Sequence, residues 1–216
     1  MIGTEFERPD AAVVGENISN EFLDVFRQEA AGHPIVLFVG RLVKYKGVDV
    51  LLEAMRGVSA MAVIVGNGPE RASLEGLAQR LGVAGRVKFL GEVTPDELAA
   101  LYRACDLFVL PSVTRQEAFG VVQIEAMACG KPIISTDLGT GTGWVNQHDE
   151  TGFVVAPRNA EALRIAIARL LSDAALRKTM GAAARQRVRA VFGVDRMVAS
   201  VLALFREVAG TGRAAA

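Results

Sequence analysis

The sequence predicts an α/β protein: a doubly wound, Rossmann-like parallel sheet of about six strands with helices on both faces. Short uninterrupted apolar runs, such as residues 35–39, are typical of strands that are buried on both faces of a parallel sheet. Segments with apolar residues at helical spacing alternate with these runs along the chain. Strands that are joined by helical crossovers form such a sheet. The chain has 216 residues, of which 51% are hydrophobic, so it can build a sizeable core.

Six strands are predicted, and most of them end at a glycine or a proline. They cover residues 35–39, 61–65, 87–90, 107–110, 132–135 and 152–155. Glycine and proline directly after an apolar run are typical of the turns that follow strands. The carboxyl ends of parallel strands share one edge of the sheet, where ligands bind in folds of this class. The loops expected at that edge are 40–47, 66–69, 91–94, 111–120 and 136–143.

The helices are predicted from apolar spacing and from residues that favour helix ends. Pro69 is expected in the first turn of one helix, and Thr94 with Glu97 forms a capping box. Trp144 and Asn146 are expected to begin a short helix. Four predicted helices have both ends assigned: 47–56, 69–80, 160–171 after the cap Asn159, and 195–208. Three more have one end assigned: one starts at 94, one ends before Gly130, and one runs to 191 after Ser172 or Asp173 as its cap.

We divide the chain into three parts. Residues 1–33 are predicted to hold residues left by cloning, followed by an interdomain linker with a short strand at 10–15 and a loose or helical segment at 20–30. Residues 34–192 form the Rossmann-like domain. Residues 193–216 form a C-terminal helix and a tail that frays.

Charge and composition exclude several classes of protein. Lysine plus arginine equal aspartate plus glutamate at 24 each, which argues against a nucleic-acid-binding protein. No apolar run is long enough to span a bilayer, and the N-terminus lacks a signal-peptide pattern. Cys105 and Cys129 stand among apolar residues and match no metal-binding spacing. We expect a cytoplasmic protein with two reduced, buried thiols.

The stretch from Arg115 to Pro132 carries the most conspicuous chemistry. Glu117 precedes a predicted apolar helix, and Glu125 lies inside it. A carboxylate in apolar surroundings costs several kcal/mol unless it is paired or hydrogen-bonded. Glu125 therefore needs a partner, which is either a neighbouring protein group or a ligand.

The two acids and their surroundings resemble the E-x7-E signature of the retaining glycosyltransferases of the GT-B fold, family 4 (group 1). Further segments are similar to that family in the same order, and the similarity covers about residues 35–192. These segments are Phe38–Leu42 with Lys46 and Gly47, Gly66–Pro69, Phe89–Gly91 and Thr151–Val155. The chain is thereby identified as the C-terminal, nucleotide-sugar donor-binding domain of such an enzyme.

The resemblance implies a role for each matching residue. Arg41 and Lys46 would stabilise the departing diphosphate, since a guanidinium and an ammonium both bind phosphate oxygens. Glu117 would accept hydrogen bonds from the donor sugar, and Glu125 from the ribose. The expected catalytic residues are Arg41, Lys46 and Glu117. The expected donor-binding residues are Gly40, Gly66, Gly68, Leu90, Gly91, Val93, Phe119, Gly120, Val121 and Glu125, with the backbone amides of Gly120 and Val121 as an anion site and Leu90, Gly91 and Val93 near the base.

The function that follows is the donor-binding half of a metal-independent transferase that needs no cofactor. It would move a sugar from a UDP- or GDP-linked donor to an acceptor with retention of configuration, in polysaccharide or glycoconjugate biosynthesis. An N-terminal acceptor domain is missing, so we expect this chain alone to be inactive. The full-length protein is expected at a membrane surface. The apolar C-terminal helix is expected either to fold back or to mediate self-association.

Two other functions remain open from the sequence. One is a non-catalytic nucleotide-sugar-binding or interaction domain on the same scaffold, although the presence of Arg41, Lys46, Glu117 and Glu125 together disfavours it. The other is a sugar-nucleotide epimerase, which would want a histidine in the cleft loops. His33 and His148 lie outside those loops. The loop 136–144 also departs from the commoner family pattern, and its glycines and threonines suggest a loop that faces a phosphate or the acceptor.

Overall fold

The computed structural model describes residues 30 and 32–211, and within them a single sheet of six parallel strands. The strands are β1 (Ile35–Val39), β2 (Met61–Val65), β3 (Val87–Gly91), β4 (Leu107–Leu110), β5 (Ile133–Thr136) and β6 (Gly152–Val155). Their order in the sheet is β3-β2-β1-β4-β5-β6. The predicted fold class is confirmed. The strand expected at 10–15 and nearly all of the linker expected at 20–30 lie outside the described residues.

A helix connects each pair of consecutive strands: α1 (Val48–Ala54), α2 (Arg71–Arg80), α3 (Pro95–Ala104), α4 (Val121–Ala128) and α5 (Gly141–Val145). In the described part of the chain, three more helices follow β6: α6 (Ala160–Ser172), α7 (Ala174–Val191) and α8 (Val194–Thr211). The capping box is present, because the Thr94 hydroxyl accepts from the Glu97 amide and the Glu97 carboxylate accepts from the Thr94 amide. Asn159 caps α6, and Asp173, not Ser172, caps α7.

Two predicted helix starts were wrong. The helix expected from Pro69 begins at Arg71, because residues 69 and 70 lie in a turn that the Arg71 amide closes by donating to the Gly68 carbonyl, while the Glu70 amide donates to the Leu42 carbonyl of another loop. The short helix expected to begin at Trp144 and Asn146 is α5, which ends at Val145. Asn146 is fully buried behind it and bonds to the sheet.

The core has two layers, one on each face of the sheet. On one face, α1, α2 and α6 pack on side chains such as Phe38 and Ile64. On the other face, α3, α4 and α7 pack on side chains such as Leu37 and Phe108. Successive residues of β1 alternate between the two layers, as the period of a strand requires. Both faces of the sheet are therefore covered by helices.

Helix α8 carries a face of exposed apolar residues. They are 44–67% exposed and comprise Met197, Val198, Val201, Leu202, Leu204 and Phe205. The expectation that this helix folds back onto the domain is wrong. Self-association of this helix, the other alternative, stays a prediction. None of the helices in the described ranges has the length and hydropathy needed to cross a membrane.

Asn146 joins β5 to β6 from the inside. Its amide nitrogen donates to the Ser135 hydroxyl at 2.9 Å and to the Phe153 carbonyl at 3.0 Å. Its amide oxygen accepts from the Thr151 hydroxyl at 2.9 Å. Since the side chain is fully buried, water cannot replace these bonds if the amide is removed.

We predict that Asn146→Ala lowers the free energy of unfolding by about 3 kcal/mol, because several buried polar groups lose their partner at once. Urea denaturation measures this change. Glu150→Ala is the matched control, since Glu150 lies in the same loop but is exposed, and we expect a change within about 0.5 kcal/mol. Equal stability of the two variants would contradict the prediction.

Candidate functional site

The loops that follow the strands meet at the carboxyl edge of the sheet. The sheet grows in one direction from β1 through β2 to β3, and in the other from β4 through β5 to β6. A crevice opens at such a switch point, here between the loop after β1 and the loop after β4. These two loops contain Lys46 and Glu117.

Lys46 and Glu117 form a buried ion pair across this crevice. The Lys46 ammonium lies 2.6 Å from the Glu117 carboxylate, and the two side chains are only 12% and 8% exposed. The Ser112 hydroxyl donates to the same carboxylate oxygen at 2.8 Å. Water has little access to this ion pair, so the loss of either partner would leave the other charge buried and uncompensated. That cost keeps the two side chains together.

Glycine at position 47 allows the two loops to approach each other. Lys46 ends a short 3-10 turn, and Gly47 follows with a φ of 68°. A β-carbon at Gly47 would lie 2.0 Å from the Pro111 carbonyl oxygen, so no other residue fits without a shift of the backbone. The Val113 amide donates to the Tyr45 carbonyl at 2.8 Å. The loops are thus joined by their backbones as well as by the ion pair.

The loop after β5 supports the segment that carries Glu117. The Thr140 hydroxyl donates to the Glu117 carbonyl at 2.9 Å, and the Gly141 amide donates to the Ala118 carbonyl at 2.8 Å. The Thr136 hydroxyl donates to the Ser112 carbonyl. Thr140 of this loop therefore holds the Glu117 segment through the backbone, and the expectation that the loop faces a phosphate or the acceptor stays a prediction.

Arg41, Gly66 and Gly68 line an open depression of about 600 Å³ together with Asn67 and Glu92. Close contact between two loops shapes this depression, because a β-carbon at Gly68 would lie 2.3 Å from the Leu42 carbonyl oxygen. Gly91, at the end of β3, accepts from the Gly66 amide at 2.7 Å. Arg41 is exposed, so its guanidinium is available to an anion.

Glu125 has a protein partner, Tyr102. The Tyr102 hydroxyl, on α3, donates to the Glu125 carboxylate at 2.8 Å. Burial of the phenol, and then the neighbouring carboxylate, raise the pKa of Tyr102 well above its usual value. The hydroxyl consequently stays protonated and remains a donor. Leu90 and Val93 pack against the apolar cluster that contains Tyr102, which brings the predicted base-contacting residues to the same side of the sheet.

The start of α4 is a turn with free backbone amides. Gly120 caps the helix with a φ of 72°, and a β-carbon there would lie 2.6 Å from Leu110. The buried Gln123 amide donates to the Phe119 carbonyl at 3.1 Å and fixes the turn. Val121, the first helical residue, is half-buried. The Phe119 ring lies 6.0 Å from Trp144, which is 55% exposed.

The predicted site residues thus fall into four groups, of which two are Glu125 with Leu90 and Val93, and Phe119 with Gly120 and Val121. Lys46 and Glu117 are in contact, and Gly40 adjoins Lys46. Arg41 shares its depression with Gly66 and Gly68. Across the described ranges, neither Arg41 nor Glu125 makes a hydrogen bond or an ion pair with Lys46 or Glu117. The described residues also include no group of three or more metal-ligating side chains.

The sequence analysis missed Ser112, Thr140 and Tyr102. Ser112 had a signal, because it is the first polar residue after a fully apolar strand and must therefore lie at the carboxyl edge. Tyr102 gave a weaker signal: it is a polar hydroxyl at one of the apolar-spaced positions of α3. Its pairing with Glu125 joins residues 23 positions apart and needs the packing of two helices to be known.

The chain matches a protein family over residues 20–187, and that family is described as "Glycosyl transferases group 1". It is 41% identical over 165 residues to D-rhamnosyltransferase WbpZ of Pseudomonas aeruginosa, covering 76% of this chain and 43% of that protein. It is 35% identical over 215 residues to a GDP-mannose-dependent alpha-(1-6)-phosphatidylinositol monomannoside mannosyltransferase of Mycobacterium tuberculosis, covering 95% of this chain and 54% of that protein.

Solved structures have the same fold. HepE from Anabaena in complex with UDP superimposes with a TM-score of 0.79 at 28% identity, covering 90% of this chain and 55% of HepE. The C-terminal domain of LpcC, a glycosyl transferase group 1 family protein from Francisella tularensis, superimposes with a TM-score of 0.72 at 25% identity, covering 86% and 98% of the two chains.

The present chain spans about half the length of the curated relatives that it matches. The family match extends over most of the chain and includes every residue of the carboxyl-edge site described above. The chain belongs to the glycosyl transferases group 1 family.

Proposed function

We propose that this chain is the donor-binding half of a retaining, metal-independent glycosyltransferase whose acceptor half lies in the missing part of a longer protein. The observation that carries the proposal is the Lys46–Glu117 pair at the switch point of the sheet. A cation and a carboxylate held together there can serve the two ends of one ligand, the diphosphate and the sugar. Family membership supports the same function.

Lys46 would change partners when a donor binds. A diphosphate carries more negative charge than one carboxylate, so it competes for the Lys46 ammonium. Arg41, which is exposed beside the glycine-lined depression, would bind the same phosphates. As the sugar bond breaks, charge grows on the leaving diphosphate, and both cations stabilise it. The amides of Gly120 and Val121 at the start of α4 would add to that stabilisation.

Release of Lys46 would leave Glu117 free to accept hydrogen bonds from hydroxyls of the donor sugar. Ser112 would keep the carboxylate in position, since its hydroxyl already bonds to it. A leaving phosphate oxygen would take the proton of the acceptor hydroxyl on the same face of the sugar. This arrangement gives retention of configuration.

Glu125 would accept hydrogen bonds from the two ribose hydroxyls, and the Tyr102 hydroxyl would hold the carboxylate in place. Leu90, Gly91 and Val93 at the end of β3 would contact the base. The neighbours give examples of both nucleotides: HepE is solved with UDP, and the mycobacterial relative is GDP-mannose-dependent by name. Either a UDP- or a GDP-linked sugar is therefore a candidate donor, and the named transferases favour glycoconjugate or polysaccharide biosynthesis.

We predict that calorimetric titration detects binding of UDP or GDP, and that Glu125→Ala weakens nucleotide binding by at least about a hundredfold. Two hydrogen bonds to a charged carboxylate would be lost, each worth about 1.5–3 kcal/mol. Glu53→Ala removes an exposed carboxylate from α1 and should leave the affinity unchanged. Tyr102→Phe removes only the hydroxyl and should weaken binding by a smaller factor than Glu125→Ala.

Failure of both nucleotides to bind to the folded chain would favour the alternative, a non-catalytic interaction domain. If nucleotide binds and Glu125→Ala and Glu53→Ala lose equal affinity, Glu125 is not part of the site. A full effect of Glu125→Ala without any effect of Tyr102→Phe would mean that the phenol is only a satisfied core group.

We also predict that the isolated chain does not turn over a donor. Transfer needs an acceptor held against the sugar, and this chain supplies one wall of the cleft. The measurement is nucleotide release from UDP-glucose and GDP-mannose, followed over hours at saturating donor. Sustained release that is abolished by Glu117→Ala would contradict the prediction, because the described half would then be catalytic by itself.

The exposed face of α8 leads to a third prediction. In the longer protein it would pack on the acceptor half, and in the isolated chain on a second copy. Sedimentation velocity should detect a dimer that Leu202→Glu with Phe205→Glu dissociates. Ile165→Glu alters an equally exposed apolar residue on α6 and should leave the dimer intact. A monomer at all concentrations would refute self-association.

A further inference from the structure

Helix α7 concentrates positive charge in a protein whose charges otherwise balance. It contains five lysine and arginine residues and no acid, whereas the whole chain has a net charge of zero. Two of the five are half-buried against the domain: Arg177 bonds to the Leu170 and Leu171 carbonyls, and Arg187 bonds to the Trp144 and Val145 carbonyls. The remaining three are Lys178, Arg185 and Arg189, which we call the basic stripe.

The basic stripe follows one side of the helix. Its members lie at i, i+7 and i+11, so they point in nearly the same direction. All three are exposed, and within residues 32–211 none of them forms an ion pair with a carboxylate. They line a groove of about 500 Å³ whose other lining residues are uncharged: Gly130, Gly181, Ala182 and Gln186.

One further cation, Lys131, follows the groove residue Gly130 in the chain, and Arg185 of the stripe also bonds to the domain. The Lys131 ammonium donates to the Arg103 carbonyl at 2.7 Å, and Arg185 donates to the Ala128 carbonyl at 3.2 Å. Arg103, Lys131 and Arg185 all act to lower the pKa of the Cys129 thiol, although burial outweighs them and the pKa is raised. Their common effect on one thiol is consistent with cations that converge on the end of α4.

The groove is separate from the donor site. Gly130 lies between the end of α4 and the start of β5, at the amino edge of the sheet, and Gly181 packs directly on its carbonyl. The donor loops lie at the opposite, carboxyl edge. Within the described ranges, none of the three stripe residues lines the depression of Arg41 or bonds to Lys46, Glu117 or Glu125.

The geometry points to the basic stripe as a docking surface for an anionic lipid membrane. Eleven residues of helix span about 16 Å, which is too far for one phosphate group to contact both ends of the stripe. A flat array of lipid phosphates matches such a row of cations, and lysine and arginine near an anionic membrane each strengthen binding about fivefold. The net charge of zero disfavours a nucleic acid as the partner.

The test is co-sedimentation of the chain with two kinds of vesicle: phosphatidylcholine alone, and equal parts of phosphatidylcholine and phosphatidylglycerol. We expect binding to the anionic vesicles that is lost at about 1 M salt, where charges are screened within about 3 Å. Lys178→Glu, Arg185→Glu and Arg189→Glu together should weaken it on the order of a hundredfold. The corresponding glutamine triple variant should give an intermediate loss, with circular dichroism as the check of folding.

The matched control carries the same change in net charge elsewhere: Arg56→Glu, Arg80→Glu and Arg158→Glu, all at exposed positions. Equal losses in the two glutamate triple variants would overturn the docking surface, because net charge alone would then explain the binding. Equal binding to both kinds of vesicle would also overturn it and would assign the contact to the apolar face of α8. Binding of a single-stranded RNA in place of the anionic vesicles would overturn the choice of partner.

Discussion

The ion pair between Lys46 and Glu117 is the interaction on which the carboxyl edge of this domain depends. It joins the loops that follow β1 and β4, which are neighbours in the sheet but are not consecutive in the chain. Around it, Gly47 lies against Pro111, and the loop after β5 bonds to the backbone of Glu117 and Ala118. Three loops from three strands are thereby fixed relative to one charged contact, so a ligand that takes one partner acts on all of them.

The site is built from one side only. Arg41 and the glycines of the second loop lie open to solvent, and the apolar face of α8 is uncovered. Both surfaces are open to a further domain, and the curated relatives that the chain matches are about twice its length. Under the proposed function, an acceptor half would cover both surfaces and supply the second wall beside the reacting sugar.

The sequence predicts the fold well because parallel strands buried on both faces leave an unmistakable apolar run, as in residues 35–39 and 107–110. Lys46, Glu117 and the glycines belong to recognisable local patterns, so the sequence predicts that they lie at the carboxyl edge, and their roles in binding stay predictions. The residues that support them were not predicted. Tyr102 and Asn146 take their meaning from partners on other elements, and no local spacing encodes them. Helix ends were misplaced at Arg71 and at α5, where a loop carbonyl or a buried side chain, not helix propensity, decides the boundary.

The aromatic group at the rim of the site has a practical consequence. The chain contains a single tryptophan, Trp144, and its indole lies 5.0 Å from the Phe192 ring and 6.0 Å from Phe119, the residue before Gly120. All of the intrinsic indole emission therefore arises from one half-exposed group next to the turn that opens α4. A rearrangement of that turn would alter the polarity around the indole and shift its fluorescence. The protein thus contains a built-in optical reporter of its own carboxyl edge, without any attached dye.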